Sequence, residues 1–194
     1  MKNNTIIRKN VKLVLLGDHQ VGKTSIMDAF DNFEFKEETL STIGIDKHES
    51  KFINYKGRDF KVFFFDTSGQ ERFLSISLTS LKVCDGIILV YSVKDKKSFQ
   101  NIENFWMNQI SDLIDVRQKS IILVGNKYDD FTDNENFVSK EEGIELAKRL
   151  NIPFFECSAK TKLNIKEMIN MILESCIEKK IKQKEEEDRQ KFYF

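Results

Sequence analysis

The chain carries no excess charge of either sign: 31 Lys and Arg balance 31 Asp and Glu over 194 residues. Without a net field, charge alone does not draw it onto nucleic acid or an anionic membrane, so no nucleic-acid partner is expected. Histidine is scarce, and His19 and His48 lack the clustering of a zinc site. The three cysteines, Cys84, Cys157 and Cys176, form no C-x-x-C pair. An odd thiol count fits a reducing cytosol, with each thiol buried as a small hydrophobe. No apolar run reaches the ~18 residues that a membrane-spanning helix needs. Residues 1–10, MKNNTIIRKN, lack the long apolar stretch of a secretory signal. Internal repeats and linkers that would mark a second domain are missing too.

What is present argues for one α/β domain. Hydrophobic residues make up 40% of the chain, with 17 Phe among them, and this length can bury a sizeable core. Short runs rich in Val, Ile and Phe recur at 11–16, 60–65, 86–93, 120–125 and 152–157, and a mixed run at 48–56 reads as an edge strand. Helix-like segments fall at 22–31, 71–82, 97–114, 140–150 and 164–182. The fourth opens on Ser139-Lys140-Glu141-Glu142, an N-cap hydroxyl with a carboxylate three residues on. Strands alternating with helices predict a doubly wound, six-stranded, mostly parallel sheet with helices on both faces. Functional loops then belong at the carboxyl ends of the strands. Residues 1–10 read as an N-terminal extension, 11–180 as the domain, and 181–194 as a charged tail that prolongs the last helix into solvent.

The run Val11–Leu16 leads directly into Gly17-Asp18-His19-Gln20-Val21-Gly22-Lys23-Thr24, a G-x-x-x-x-G-K-[ST] pattern. A strand feeding a glycine-rich turn is the context in which this pattern cradles phosphate. Gly17 and Gly22 have no Cβ, so the backbone can curl around a polyphosphate and aim its N–H groups inward. Lys23 can set a compact positive charge against the β- and γ-phosphates, and Thr24 can offer its hydroxyl to Mg²⁺. A helix starting near Gly22 adds the positive end of its dipole.

Later strand ends carry further polar groups. Asp66-Thr67-Ser68-Gly69-Gln70-Glu71 follows the run ending at Phe65. Asp66 is placed to hold Mg²⁺ through water, Gly69 to bring a backbone N–H to a γ-phosphate, and Gln70 to orient an attacking water. Taken alone, these residues read equally well as a polar turn. In Asn126-Lys127-Tyr128-Asp129, the carboxylate can accept from the N1–H and exocyclic amine of guanine, a donor pair that adenine lacks. In Cys157-Ser158-Ala159-Lys160, the backbone N–H of a small residue such as Ala159 suits guanine O6 and not an amino group. Buried partners left unsatisfied make such discrimination steep.

Taken in order, GDHQVGKT, Thr42-Ile43-Gly44, DTSGQERF at 66–73, NKYD and SAK resemble the Ras superfamily of small GTPases. STIGID at 41–46, GQERF at 69–73 and DGIILVYSV at 85–93 are similar to its Rab branch, and the resemblance spans about residues 10–180. It implies a P-loop GTPase domain that binds GTP or GDP with Mg²⁺ and hydrolyses GTP as a switch in vesicle and membrane traffic. By the resemblance, Gly17, Asp18, His19, Gln20, Val21, Gly22, Lys23 and Thr24 surround the phosphates and Ser25 touches the α-phosphate. Thr24 and Thr42 ligate Mg²⁺, with Asp66 behind them. Gly69 senses the γ-phosphate, Gln70 positions water, and Lys23 completes the catalytic set. Phe35 packs on the guanine, while Asn126, Lys127, Asp129, Ser158, Ala159 and Lys160 build the base pocket. Segments 36–46 and 67–80 look like the switches that meet exchange factor, GAP and effector. A monomer is expected, cytoplasmic or peripheral at the cytosolic face of endomembranes.

Four features depart from that pattern. His19 and Gln20 stand where relatives usually carry a small residue and then Gly. His19 would face the γ-phosphate, so intrinsic turnover is expected near or below the ~10⁻⁴ to 10⁻³ s⁻¹ of unaided small GTPases. The alternatives are a loop that turns both side chains outward, or His19 as a base. Three aromatics usual on a Rab effector face read Lys47, Phe65 and Ser80 here, which removes two interface anchors. Phe105-Trp106 is expected to pack one ring on the core and cover its rim with the other. No Cys follows Cys176, itself part of the core stripe Ile172, Leu173, Cys176, Ile177, and no Gly follows Met1. No lipidation motif is therefore present: either the tail is truncated, or the chain works without its own anchor. The rival function is a hydrolysis-deficient GTP-binding scaffold. Asp129 and Ala159 argue against an ATP-using enzyme.

Overall fold

A computed structural model describes residues 10–31, 45–55, 58–67, 81–129 and 136–191. The strands are β1 Asn10–Leu16, β2 Ile45–Tyr55, β3 Arg58–Thr67, β4 Gly86–Ser92, β5 Ser120–Asn126 and β6 Phe154–Glu156. They form one six-stranded sheet in the order β2-β3-β1-β4-β5-β6. β2 pairs antiparallel with β3, and all other pairings are parallel. β4 and β5 are buried along their whole length, which is why they read as unbroken apolar runs rather than alternating ones. From β1 the chain passes to the edge strand β2, returns as β3 beside β1, and then crosses to β4 on the other side of β1. That reversal opens a crevice at the carboxyl ends of β1 and β4, where ligands of such sheets bind.

The helices are α1 Lys23–Phe30, α2 Lys96–Asn101, α3 Asn108–Leu113, α4 Lys140–Leu150 and α5 Ile165–Lys191. Alternate residues of β1 serve opposite faces, as a period of two requires. Leu13 and Leu15 share a core with Ile26 and Met27 of α1 and with Ile169, Ile172 and Leu173 of α5. Val14 and Leu16 face a second core built with Trp106, Ile110 of α3 and Leu146 of α4.

Several boundaries differ from the sequence expectation for physical reasons. The helix expected over 97–114 is not uniform: a π-helical stretch, Ile102–Met107, joins α2 to α3. The last strand shortens from 152–157 to Phe154–Glu156, because Pro153 has no N–H for the ladder. The carbonyl of Pro153 still accepts from Leu123 N at 2.9 Å. The edge strand is longer than 48–56 suggested, with a register shift between Glu49 and Phe52. α4 starts at the expected cap, where Glu142 N donates to Ser139 Oγ and Ser139 N donates to the Glu142 carboxylate. α5 continues through the charged segment to Lys191, as a solvated extension should. Of the helix expected over 71–82, only 81 and 82 fall among the described residues, and both are helical. All three cysteines are buried. Burial pushes the Cys84 thiol up to about 11 and that of Cys176 up to about 12, so neither is a reactive thiolate.

Candidate functional site

Gly17 leaves β1 at φ +148°, and a Cβ there would lie 2.0 Å from the Val90 carbonyl oxygen of β4. Gly22 caps α1 at φ +95°, where a Cβ would lie 2.3 Å from Asn126 Nδ2. Both positions therefore require glycine for space as well as conformation. Gln20 adopts the same left-handed region at φ +62°, where a side chain costs about 1–2 kcal/mol. His19 and Gln20 are both exposed.

Lys23 opens α1 and is buried. Its Nζ donates to the carbonyl oxygens of Gly17 at 2.9 Å and Asp18 at 2.8 Å. Burial lowers its pKa to about 8, against the opposing pull of Asp66 and Asp18. An anion entering the loop would supply the negative charge that this desolvated ammonium favours. Thr24 and Ser25 follow, both half-buried. Thr24 Oγ1 donates to Asp66 Oδ2 at the end of β3. A hydroxyl and a buried carboxylate thus converge beside Lys23, the hard oxygen donors that suit Mg²⁺. Among the described residues no group of three His, Cys, Asp or Glu side chains could hold a metal by itself. The pair fits an ion that draws its remaining ligands from phosphate and water.

The other half of the site starts where β5 ends. Asn126 is buried; its Nδ2 donates to the Val21 carbonyl at 2.9 Å, and its Oδ1 accepts from Ala159 N at 3.1 Å. One amide side chain therefore joins the phosphate loop to the loop after β6. Lys127, left-handed at φ +70°, donates from Nζ to the Gln20 carbonyl at 2.6 Å. Burial first, then the neighbouring Lys94, holds its pKa below the usual lysine value. Ser158 Oγ donates to Asp129 Oδ1 at 2.5 Å and accepts from Thr161 N at 3.0 Å. The exposed Asp129 carboxylate is thereby given a fixed direction, and Lys160, which follows Ala159 in the chain, is exposed as well. The Ala159 N–H, assigned to guanine O6 from the sequence, is donated to Asn126 Oδ1 in this conformation, because a buried amide takes the nearest acceptor.

Two further residues reach the cradle without having been foreseen in that role. Asn101 Nδ2 donates to Asp18 Oδ2 at 2.6 Å, and Trp106 Nε1 donates to Asp18 Oδ1 at 2.8 Å. Trp106 is buried and Phe105 half-buried against the same core, edge-to-face at 5.1 Å, so the expected division between core and rim is what the pair does. The indole N–H was the overlooked signal, since a buried tryptophan needs an acceptor. Phe65 is half-buried against the second core and pairs with Lys47 in register across β2 and β3. Phe35, Thr42, Gly69, Gln70, Ser80 and most of segments 36–46 and 67–80 lie outside the described residues.

The Ras family profile matches residues 12–178. Over 175 residues the chain is 39% identical to the Ras-related protein SEC4 of Candida albicans, covering 88% of this chain and 81% of that one. It is 39% identical over 161 residues to the Ras-related protein Rab-13 of Canis lupus familiaris, with 83% and 77% covered. Against the Ras-related protein RABC2a of Arabidopsis thaliana it is 40% identical over 157 residues, with 80% and 72% covered. With a family match across nearly the whole sheet and a phosphate loop of this geometry, the chain belongs to the Ras family and is a Rab-like small GTPase.

Proposed function

We propose that the protein binds GTP and GDP with Mg²⁺ and hydrolyses GTP slowly, as a molecular switch in membrane traffic. The observation that carries this reading is the double engagement of Asn126, which links the phosphate loop at Val21 to the base loop at Ala159. Phosphates held between Gly17 and Ser25 would meet backbone N–H groups, the start of α1 and the Lys23 ammonium. Asp129, directed by Ser158, would accept the N1–H and exocyclic amine of guanine, and Phe35, Lys127 and Lys160 would complete the base pocket. Thr24 and Thr42, with Asp66 behind them, would hold Mg²⁺, which when bound neutralises charge on the β- and γ-phosphates. Gly69 and Gln70 are assigned to sensing the γ-phosphate and orienting water. Segments 36–46 and 67–80 are assigned to exchange factor, GAP and effector. The traffic role rests on kinship with the Rab branch. No helix among the described residues is long and apolar enough to cross a membrane, and membrane contact in this reading is peripheral.

Competition against a fluorescent GDP analogue tests the ligand. GDP and GTP should displace it at least about a thousandfold better than ATP, because the base edge is read by hydrogen bonds. Asp129→Asn should move preference toward xanthine nucleotides, since an amide N–H can donate to the 2-carbonyl that a carboxylate repels. ATP displacing the analogue as well as GDP would overturn the reading.

A second reading, a GTP-binding scaffold that scarcely hydrolyses, is favoured by exposed His19 and left-handed Gln20 in the cradle. Single-turnover phosphate release separates the two. Release abolished by Gln70→Leu supports the switch, and release no greater than that of Gln70→Leu supports the scaffold.

A further inference from the structure

Asp18 occupies the second position of the phosphate loop, and its two ends serve different partners. Its carbonyl oxygen accepts from Lys23 Nζ at 2.8 Å. Its carboxylate is turned toward the opposite layer of the fold, where Asn101 Nδ2 holds Oδ2 at 2.6 Å and Trp106 Nε1 holds Oδ1 at 2.8 Å. Each carboxylate oxygen thus has its own donor. The two donors are five residues apart in the chain. At 3.6 residues per turn, positions i and i+5 point about 140° apart and do not converge on one carboxylate. Ile102–Met107 is π-helical, and a turn closed over five residues brings i and i+5 onto one face. Ile102 and Trp106 are buried in one core with Leu16 and Leu89, so packing holds this face against the end of β1.

We infer that the π turn is a positioning device: through Asn101 and Trp106 it holds the Asp18 carboxylate away from bound phosphate and so favours retention of a triphosphate over a diphosphate. This rests on the guanine-nucleotide reading above. A carboxylate on a phosphate-binding loop has the wrong charge for its ligand, and the repulsion grows with the charge on the phosphate chain. Two hydrogen bonds to an ionised group are strong enough to fix its direction. Released, the side chain rotates about Cα–Cβ into the space beside the loop, where the longer phosphate chain suffers more. Asn101 and Trp106 act through Asp18 and touch no nucleotide atom themselves.

The test titrates the full chain with GDP and with a non-hydrolysable GTP analogue in Mg²⁺ buffer, alongside thermal melts. Trp106→Phe keeps an aromatic ring and removes the N–H. It should lower affinity for the triphosphate about tenfold and for GDP about threefold or less, the scale of a lost charge-assisted hydrogen bond. Adding Asp18→Asn should recover the triphosphate loss, because the repelling charge is gone. Asn101→Ala, at a half-buried position, should give the same ordering and serves if Trp106→Phe does not fold. Equal losses for both nucleotides, or a loss that Asp18→Asn does not recover, would mean these side chains only pack the helix. That result overturns the inference and leaves guanine-nucleotide binding standing. An unsubstituted chain that binds neither nucleotide overturns both.

Discussion

Asn126 Nδ2 lies 2.9 Å from the carbonyl oxygen of Val21, joining two loops 105 positions apart in the chain. The same side chain accepts from Ala159 N through Oδ1, so truncating it leaves a buried acceptor and a buried donor unpaired. Each such loss costs about 1–3 kcal/mol. Asn126→Ala should therefore destabilise the fold by about 2–6 kcal/mol and accelerate GDP release. Urea denaturation and release of a fluorescent GDP analogue measure the two effects. A variant with unchanged release would detach Asn126 from the site.

Gln20 is held at φ +62°. The left-handed backbone costs a side chain about 1–2 kcal/mol, and glycine loses about 0.5–1 kcal/mol through greater freedom when unfolded. Gln20→Gly should therefore stabilise the protein by roughly 0.5–1 kcal/mol, whereas Gln20→Val, β-branched, should destabilise it. The urea midpoint decides, and a lower midpoint for Gln20→Gly would show that Gln20 makes a compensating contact.

His19 is exposed on the phosphate loop. On the proposed reading its bulk hinders access to the γ-phosphate, so His19→Ser should raise single-turnover hydrolysis about tenfold above a wild-type rate near or below ~10⁻⁴ to 10⁻³ s⁻¹. A fast wild-type rate that His19→Ser leaves unchanged would remove the steric argument. A rate that His19→Ser reduces would make the imidazole a participant.

Glu156 ends β6 with its carboxylate buried, and Glu156 Oε1 and Tyr91 Oη find no hydrogen-bond partner among the described residues. Burial raises the Glu156 pKa above its ordinary 4.5, with Lys140 opposing and Glu141 assisting. Burial and then Glu156 likewise push the Tyr91 phenol far up. A raised folded pKa means that this group's stability contribution is complete below pH 4.5 and is lost as pH rises through the folded value. Glu156→Gln should thus be more stable than wild type at pH 7–8, by a margin that vanishes toward pH 4.5. Melts across that range give the sign directly, and a Gln variant weaker at every pH would point to an unrecognised carboxylate partner.

Much of the candidate site was legible because its chemistry is local. Gly17, Gly22, Lys23 and Thr24 sit on one turn, and their spacing alone dictates a loop that curls and a helix that starts. Asp66, Asn126 and Ser158 were legible as polar residues closing apolar runs, since a parallel sheet sends every strand end to one edge. The π stretch was not legible, because nothing in the local composition of Ile102–Met107 separates a π turn from an ordinary α-helical one. The short β6 was half legible, in that Pro153 stood in the run.

By itself the sequence determined the alternation of strands and helices, the phosphate loop and the residues at the strand ends, because periodicity and turn chemistry act over a few neighbours. Tertiary structure alone decided which distant groups meet. Asp18 faces Trp106, Lys127 reaches Gln20 and Ala159 N–H is taken by Asn126. Each of these is a buried or half-buried polar group satisfied across strands that only the folded sheet brings side by side.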